Sequence, residues 1–135
     1  IFIWGEQRGS AVGDYNQDGR PDLAVAQNGA TTRLFRNMEG QPGLRVRLNG
    51  GPANPTGVGA IARMKYENEK KGPAKIVTAG SGYWSQDSPV QIYASPNTPL
   101  EIEIQWPYGE TTRTPIPTGS NEIEVNQKGE LKRIK

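Results

Sequence analysis

The 135-residue chain carries 16 basic and 14 acidic side chains, no histidine and no cysteine. A net charge of +2 is too small to argue for a nucleic-acid partner. The absence of His and Cys removes the familiar nucleophilic triads, most zinc sites and any disulfide framework. A mean hydropathy of −0.71 with no long apolar run leaves no membrane-spanning helix, while 17 glycines and 11 prolines call for many turns and little helix.

The length suits one ordinary domain, or one domain and a fragment of another. The chain begins at Ile1 without methionine or signal peptide, as expected of a processed or excised piece. Ile1-Phe2-Ile3-Trp4 is too short for a helix and reads as a buried strand. Gly5 to Ser10 reads as a turn or loop, and Ala11 to Gly13 as the next strand.

Asp14-Tyr15-Asn16-Gln17-Asp18-Gly19-Arg20-Pro21-Asp22 follows. It sets oxygen-bearing side chains at positions one, three, five and nine, with glycine at six. Hard cations such as calcium take six to eight oxygen ligands. A short loop supplies them when alternate side chains turn inward and one residue permits a sharp bend. Gly19 is that residue, because it tolerates positive φ. Arg20 is expected to point its charge outward and offer its backbone carbonyl. Three carboxylates this close repel, and a cation would offset them. An EF-hand would need a glutamate at position twelve, where Val25 stands, and flanking helices in place of strands. The reading is therefore a strand-loop-strand calcium site closed by Asp22; the alternative is a polar β-turn without an ion.

A strand near 22–27, a turn at Asn28-Gly29 and a strand near 32–36 come next. Asn-Gly is a strong hairpin signal, since both residues accept positive φ. Residues 11–23, with Asn28-Gly29 and Arg33-Leu34-Phe35-Arg36-Asn37, resemble the FG-GAP/VCBS repeat, the blade unit of integrin-α-like β-propellers. The resemblance implies Asp14, Asn16, Asp18 and Asp22 as side-chain ligands of Ca2+ and Arg20 as a carbonyl ligand. With Ile1–Trp4 as the extra strand, four strands would make one blade. One blade does not close a propeller, so further blades outside this chain are expected to cover its faces.

Gly40, Pro42 and Gly43 mark a boundary, giving a blade over 1–40 and a second unit over 41–135. Leu44, Val46 and Leu48 alternate with Arg45, Arg47 and Asn49, the pattern of a half-buried strand with its polar face toward water. Strands are expected at 61–66, 75–78, 90–93, 100–106, 111–116, 121–125 and 130–134. A tip at 67–72 containing Glu67, Glu69, Lys70 and Lys71 is a solvated surface. Leu100, Ile102, Ile104 and Trp106 form the cleanest alternation. Short strands at this spacing imply a β-sandwich or small barrel, with Leu44, Val46, Leu48, Ile102, Ile104 and Trp106 in the core. The fold class is all-β: a partial propeller-type calcium blade and an antiparallel β-sandwich.

Within the second region, Leu44 to Leu48, Asn54 with Gly57-Val58-Gly59-Ala60, Gly80-Ser81-Gly82-Tyr83-Trp84-Ser85-Gln86, and Trp106-Pro107 with Gly109 resemble the ASPIC/UnbV domain. That domain commonly follows FG-GAP repeats in secreted proteins such as those of the cartilage acidic protein type. The resemblance implies an extracellular, cell-surface or periplasmic setting and names no activity.

Gly57-Val58-Gly59-Ala60 has the glycines of a dinucleotide loop but lacks the strand before and helix after that such a loop requires. Ser81 sits between glycines without a histidine base, so it is no nucleophile. Glu101, Glu103 and Glu110 are candidate acids on surfaces that water covers. Tyr83 and Trp84, adjacent in an extended segment, should face opposite sides, one core and one exposed. An exposed ring beside Ser85, Gln86 and Asp87 is a candidate binding site for a sugar or a protein; the alternative is a loop plug over the sandwich end. Three functions stay open: a calcium-stabilised binding or scaffold module without enzymatic activity, a carboxylate-based hydrolase, and a structural cap with a buried Tyr83-Trp84 loop.

Overall fold

The structure, a computed structural model, describes residues 2–67, 70–95 and 97–135. No helix occurs among the described residues. The first sheet is antiparallel in the order β1 (Gln7–Gly13), β2 (Asp22–Gln27) and β3 (Ala30–Phe35). Its ladder runs from Gln7 opposite Gln27 to Gly13 opposite Asp22, which places the acidic loop at the β1–β2 hairpin tip. The turn at Asn28-Gly29 closes β2 onto β3 with Gly29 alone in the left-handed region, at φ 68°.

Two four-stranded sheets follow. One orders β4 (Leu44–Asn49), β7 (Gln91–Tyr93), β10 (Glu122–Asn126) and β11 (Leu131–Arg133) as β11-β10-β4-β7. The other orders β5 (Ile61–Tyr66), β6 (Lys75–Ile76), β8 (Pro99–Gln105) and β9 (Thr111–Pro115) as β6-β5-β8-β9. Their ladders are antiparallel except one: β10 runs parallel to β4, with Glu122 beside Arg45 and Glu124 beside Arg47. A parallel pair needs a long crossover, and here the whole second sheet lies between the two strands in sequence.

The inner faces merge into one core. Leu44, Val46, Leu48, Tyr93, Ile123 and Val125 meet Ala62, Met64, Tyr66, Ile102, Ile104 and Trp106, all buried. All six side chains assigned to the core from alternation are therefore inside it. Fully burying a side chain of this size contributes roughly 1.5–3 kcal/mol. Polar atoms carried into this core find partners: the Tyr93 hydroxyl donates to the Ala62 carbonyl, the Tyr66 hydroxyl to that of Ala94, and the Trp106 indole to the Thr112 hydroxyl.

Four local expectations change. Residues 2–4 form no strand; Phe2 and Trp4 are exposed and lean on each other, and Ile1 lies outside the described residues. The first sheet accordingly has three strands rather than four. Gly5 to Ser10 is not all loop, because β1 extends back to Gln7 to pair with Gln27. Leu100 is exposed although Ile102 and Ile104 are buried; a register shift between Lys65 and Tyr66 breaks the alternation at that end of β8. The charged tip includes Asn68 and Glu69, which lie outside the described residues.

The first sheet has almost no core of its own. Val25 is its buried apolar side chain among the described residues, while Val12, Tyr15 and Leu34 are exposed. They border a shallow hollow of about 260 Å³ with Ala11, Ala24 and Ser88.

Candidate metal loop and aromatic loop

The acidic loop folds around its own carboxylates. Asp14 accepts from the amides of Asp18 (3.0 Å) and Gly19 (2.8 Å), and Asp18 from that of Arg20 (3.0 Å). Asn16 accepts from the Asp18 amide and donates to the Asp18 carboxylate. Asp22, 3% exposed, accepts from the amides of Tyr15 and Asn37. Two residues take left-handed φ to allow this wrap, Gly19 at 82° and Gln17 at 59°. A side chain at Gly19 would also meet the Gly43 carbonyl at 2.9 Å, so both conformation and space require glycine there.

The donor set is entirely oxygen, and amide bonds fix Asp14, Asn16, Asp18 and Asp22 within one turn, which fits a hard cation. The three carboxylates are nevertheless held apart, and no group of three acidic side chains stands ready as a metal cluster among the described residues. Arginines cause this. Arg45 pairs with Asp14, and Arg20 and Arg36 pair with Asp18. The Arg20 side chain does not point outward as expected: its Nη1 reaches Asp18 at 3.2 Å and its Nε donates to the Gly40 carbonyl at 2.5 Å. Burial pushes the Asp18 carboxyl up, but bonds from Asn16, the Arg20 amide and Arg36, together with the charge of Arg20, outweigh it and hold it below the usual carboxylate range.

Arg45 and Glu122 escaped the sequence reading. The polar face of β4 is not solvated at Arg45, because the acidic loop covers it; the Arg45 side chain is 6% exposed and that of Glu122 1%. Glu122 accepts from Arg45 Nε at 2.9 Å and from Arg47 Nε at 2.5 Å. Its carboxyl is raised by burial, yet the two arginines more than reverse this and leave it low. Asp14, Arg45, Glu122 and Arg47 thus form one ionic chain from the first sheet's hairpin into the sandwich. The Gly43 amide donates to the Gly19 carbonyl at 2.8 Å, and Lys135 donates to Gln17 at 2.9 Å. The loop is the joint between the two parts.

The aromatic loop also departs from expectation. Tyr83 and Trp84 do not split between core and surface; both are exposed and stack at 5.4 Å with rings 12° from parallel. Trp84 sits at φ 49° in the turn closed by the Gly82–Ser85 bridge, and this breaks the strand-like alternation. Ser85 and Asp87 face the other way. The Ser10 amide donates to Ser85 Oγ (2.9 Å), the Val12 amide to Asp87 Oδ1 (2.8 Å), and the Ser88 amide to the Val12 carbonyl (2.8 Å). They cap the edge of β1, which would otherwise offer unpaired backbone groups. Gln86 lies exposed between them.

The remaining motifs are structural. Gly57 and Gly59 take left-handed φ in a turn that the Asn54 side chain clamps at both the amide and the carbonyl of Val58, and β5 follows in place of a helix. Glu103 is held low first by its bond from Arg113, with Lys71 adding to it.

Residues 50–132 match a family model described as ASPIC and UnbV, and residues 8–41 match one described as an FG-GAP repeat. No curated protein matches the chain in sequence.

Proposed function

The chain belongs to the ASPIC and UnbV family and carries an FG-GAP repeat ahead of that domain, and on that premise we propose a calcium-stabilised, extracellular binding module of a β-propeller protein. The observation that carries this reading is the position of the acidic loop, clamped between the repeat and the sandwich by Gly43, Arg45 and Lys135. Asp14, Asn16, Asp18 and Asp22 would hold the ion with their side chains and Arg20 with its carbonyl. Bound calcium would supply the positive charge that draws the carboxylates together. Asp14 and the Gly19 carbonyl already touch the second domain, so tightening the loop braces the joint. The open apolar face at Val12, Tyr15 and Leu34 suits packing against a further blade.

For the partner, the stacked Tyr83–Trp84 pair supports recognition of a protein or glycan. Flat exposed rings contribute much of the energy at such contacts, and their exposure speaks against a purely structural cap. A hydrolase is the weaker reading, since a general acid requires a raised carboxyl pKa and Asp18, Glu103 and Glu122 are all held low.

Thermal unfolding of the chain in millimolar calcium and in chelator tests the proposal. Calcium should raise the midpoint for the wild type and leave Asp18→Ala nearly unmoved. Equal shifts in both proteins would overturn the assignment of the loop.

A further inference from the structure

We propose that Arg45 sets the cation affinity of the acidic loop, acting as a resident counter-charge that a divalent ion must displace from Asp14. The inference rests on the calcium reading and adds a residue that lies outside the loop, on the first strand of the sandwich.

The geometry makes the exchange specific. A carboxylate offers about four lone-pair positions. On Asp14, one oxygen serves the Asp18 amide, and the other serves both the Gly19 amide and Arg45 Nη1. The guanidinium therefore neutralises the first ligand of the loop from inside the protein, where the Asp14 side chain is 1% exposed. Ligand charge tunes the affinity of such loops, so a fixed cation on the first carboxylate weakens ion binding.

Displacement does not strand Arg45. Its Nε is bound to Glu122 at 2.9 Å, and Glu122 is the neighbour of Arg45 in the parallel β4–β10 ladder. A buried guanidinium that lost its sole partner would block the exchange, because an unpaired buried charge is strongly unfavourable. With Glu122 behind it, Arg45 can release Asp14 and stay paired. Arg47, 40% exposed, holds the other oxygen of Glu122 and keeps the acceptor in place. Arg20 and Arg36 do not play this part: Arg36 is 47% exposed and swings into water freely, and Arg20 belongs to the loop itself.

The test is calorimetric titration of calcium into the whole chain as wild type, Arg45→Met and Asp14→Asn. Methionine keeps the stem of Arg45 and removes its charge. Arg45→Met should bind calcium on the order of tenfold more tightly than wild type, the scale expected from removing one adjacent charge at near-surface dielectric. Asp14→Asn should bind more weakly. A role confined to structure predicts the reverse for Arg45→Met, since a loosened joint would weaken binding. Wild-type binding with equal or weaker affinity in Arg45→Met would overturn this inference alone. Absence of binding in all three would overturn the calcium reading and the inference with it. Should Arg45→Met not fold, nitrogen resonances of the Arg45 guanidinium decide the matter in the wild type. They should shift as calcium saturates the loop, and an unchanged Arg45 signal at saturation would overturn the exchange.

Discussion

Removing Glu122 should damage the molecule far beyond what a surface glutamate would. Its side chain is 1% exposed and accepts from both Arg45 and Arg47. Breaking a buried ion pair by deleting one partner costs about 3–5 kcal/mol. Arg45 keeps Asp14 and Arg47 can turn to water, which places Glu122→Ala near the lower end, about 3 kcal/mol. The same site sets an acid response. The folded-state pKa of Glu122 lies below its ordinary value of 4.5. Its contribution is therefore fully present above that pH and is lost as the pH falls through the lower, folded value. Asp18 shifts in the same direction, so a residual slope persists in any Glu122 variant. Urea unfolding at pH 7 and at several pH values below 4.5 measures both effects: Glu122→Ala should lose stability at pH 7, and Glu122→Gln should show a flatter acid decline. A loss under about 0.5 kcal/mol, the scale of an exposed site, or an unaltered acid slope in Glu122→Gln would refute the buried chain.

Asp87→Ala should leave the Val12 amide without its acceptor, at a cost of about 1–3 kcal/mol if the edge stays dry; faster hydrogen exchange at Val12 with little change in the sandwich core is the expected result. Trp84→Ala should shift stability by less than about 0.5 kcal/mol, because the ring is exposed, while abolishing capture on protein and glycan arrays that the wild type engages.

The alternation of β4 and β8 made the sandwich legible, since a period of two with one apolar face has one stable arrangement. The acidic loop was legible from its spacing, because glycine at the sixth position and oxygens at odd positions impose a wrap. What lay beyond reach were contacts between segments distant in sequence. Arg45 looked like a solvent-facing residue because nothing local marks that the acidic loop will lie over it. Its partner Glu122 is 77 residues away in a parallel pairing that alternation does not encode. Trp84 was misplaced for a local reason: its left-handed backbone is imposed by docking of Ser85 and Asp87 on β1, not by its own preference. Ile1 to Trp4 had the composition of a strand but, over residues 2–4, no neighbour to pair with.

Calorimetric titration of calcium into the purified chain most directly tests the claim that residues 14–22 form a cation site. Heat of binding is expected with a dissociation constant on the order of 0.1–1 mM, the range of extracellular modules. At the tight end of that range, 1 mM free ion stabilises the folded chain by roughly 1.4 kcal/mol, and Asp18→Ala should remove both effects. No heat at millimolar calcium, together with the same melting temperature in chelator, would contradict the claim and leave the loop as an arginine-compensated turn.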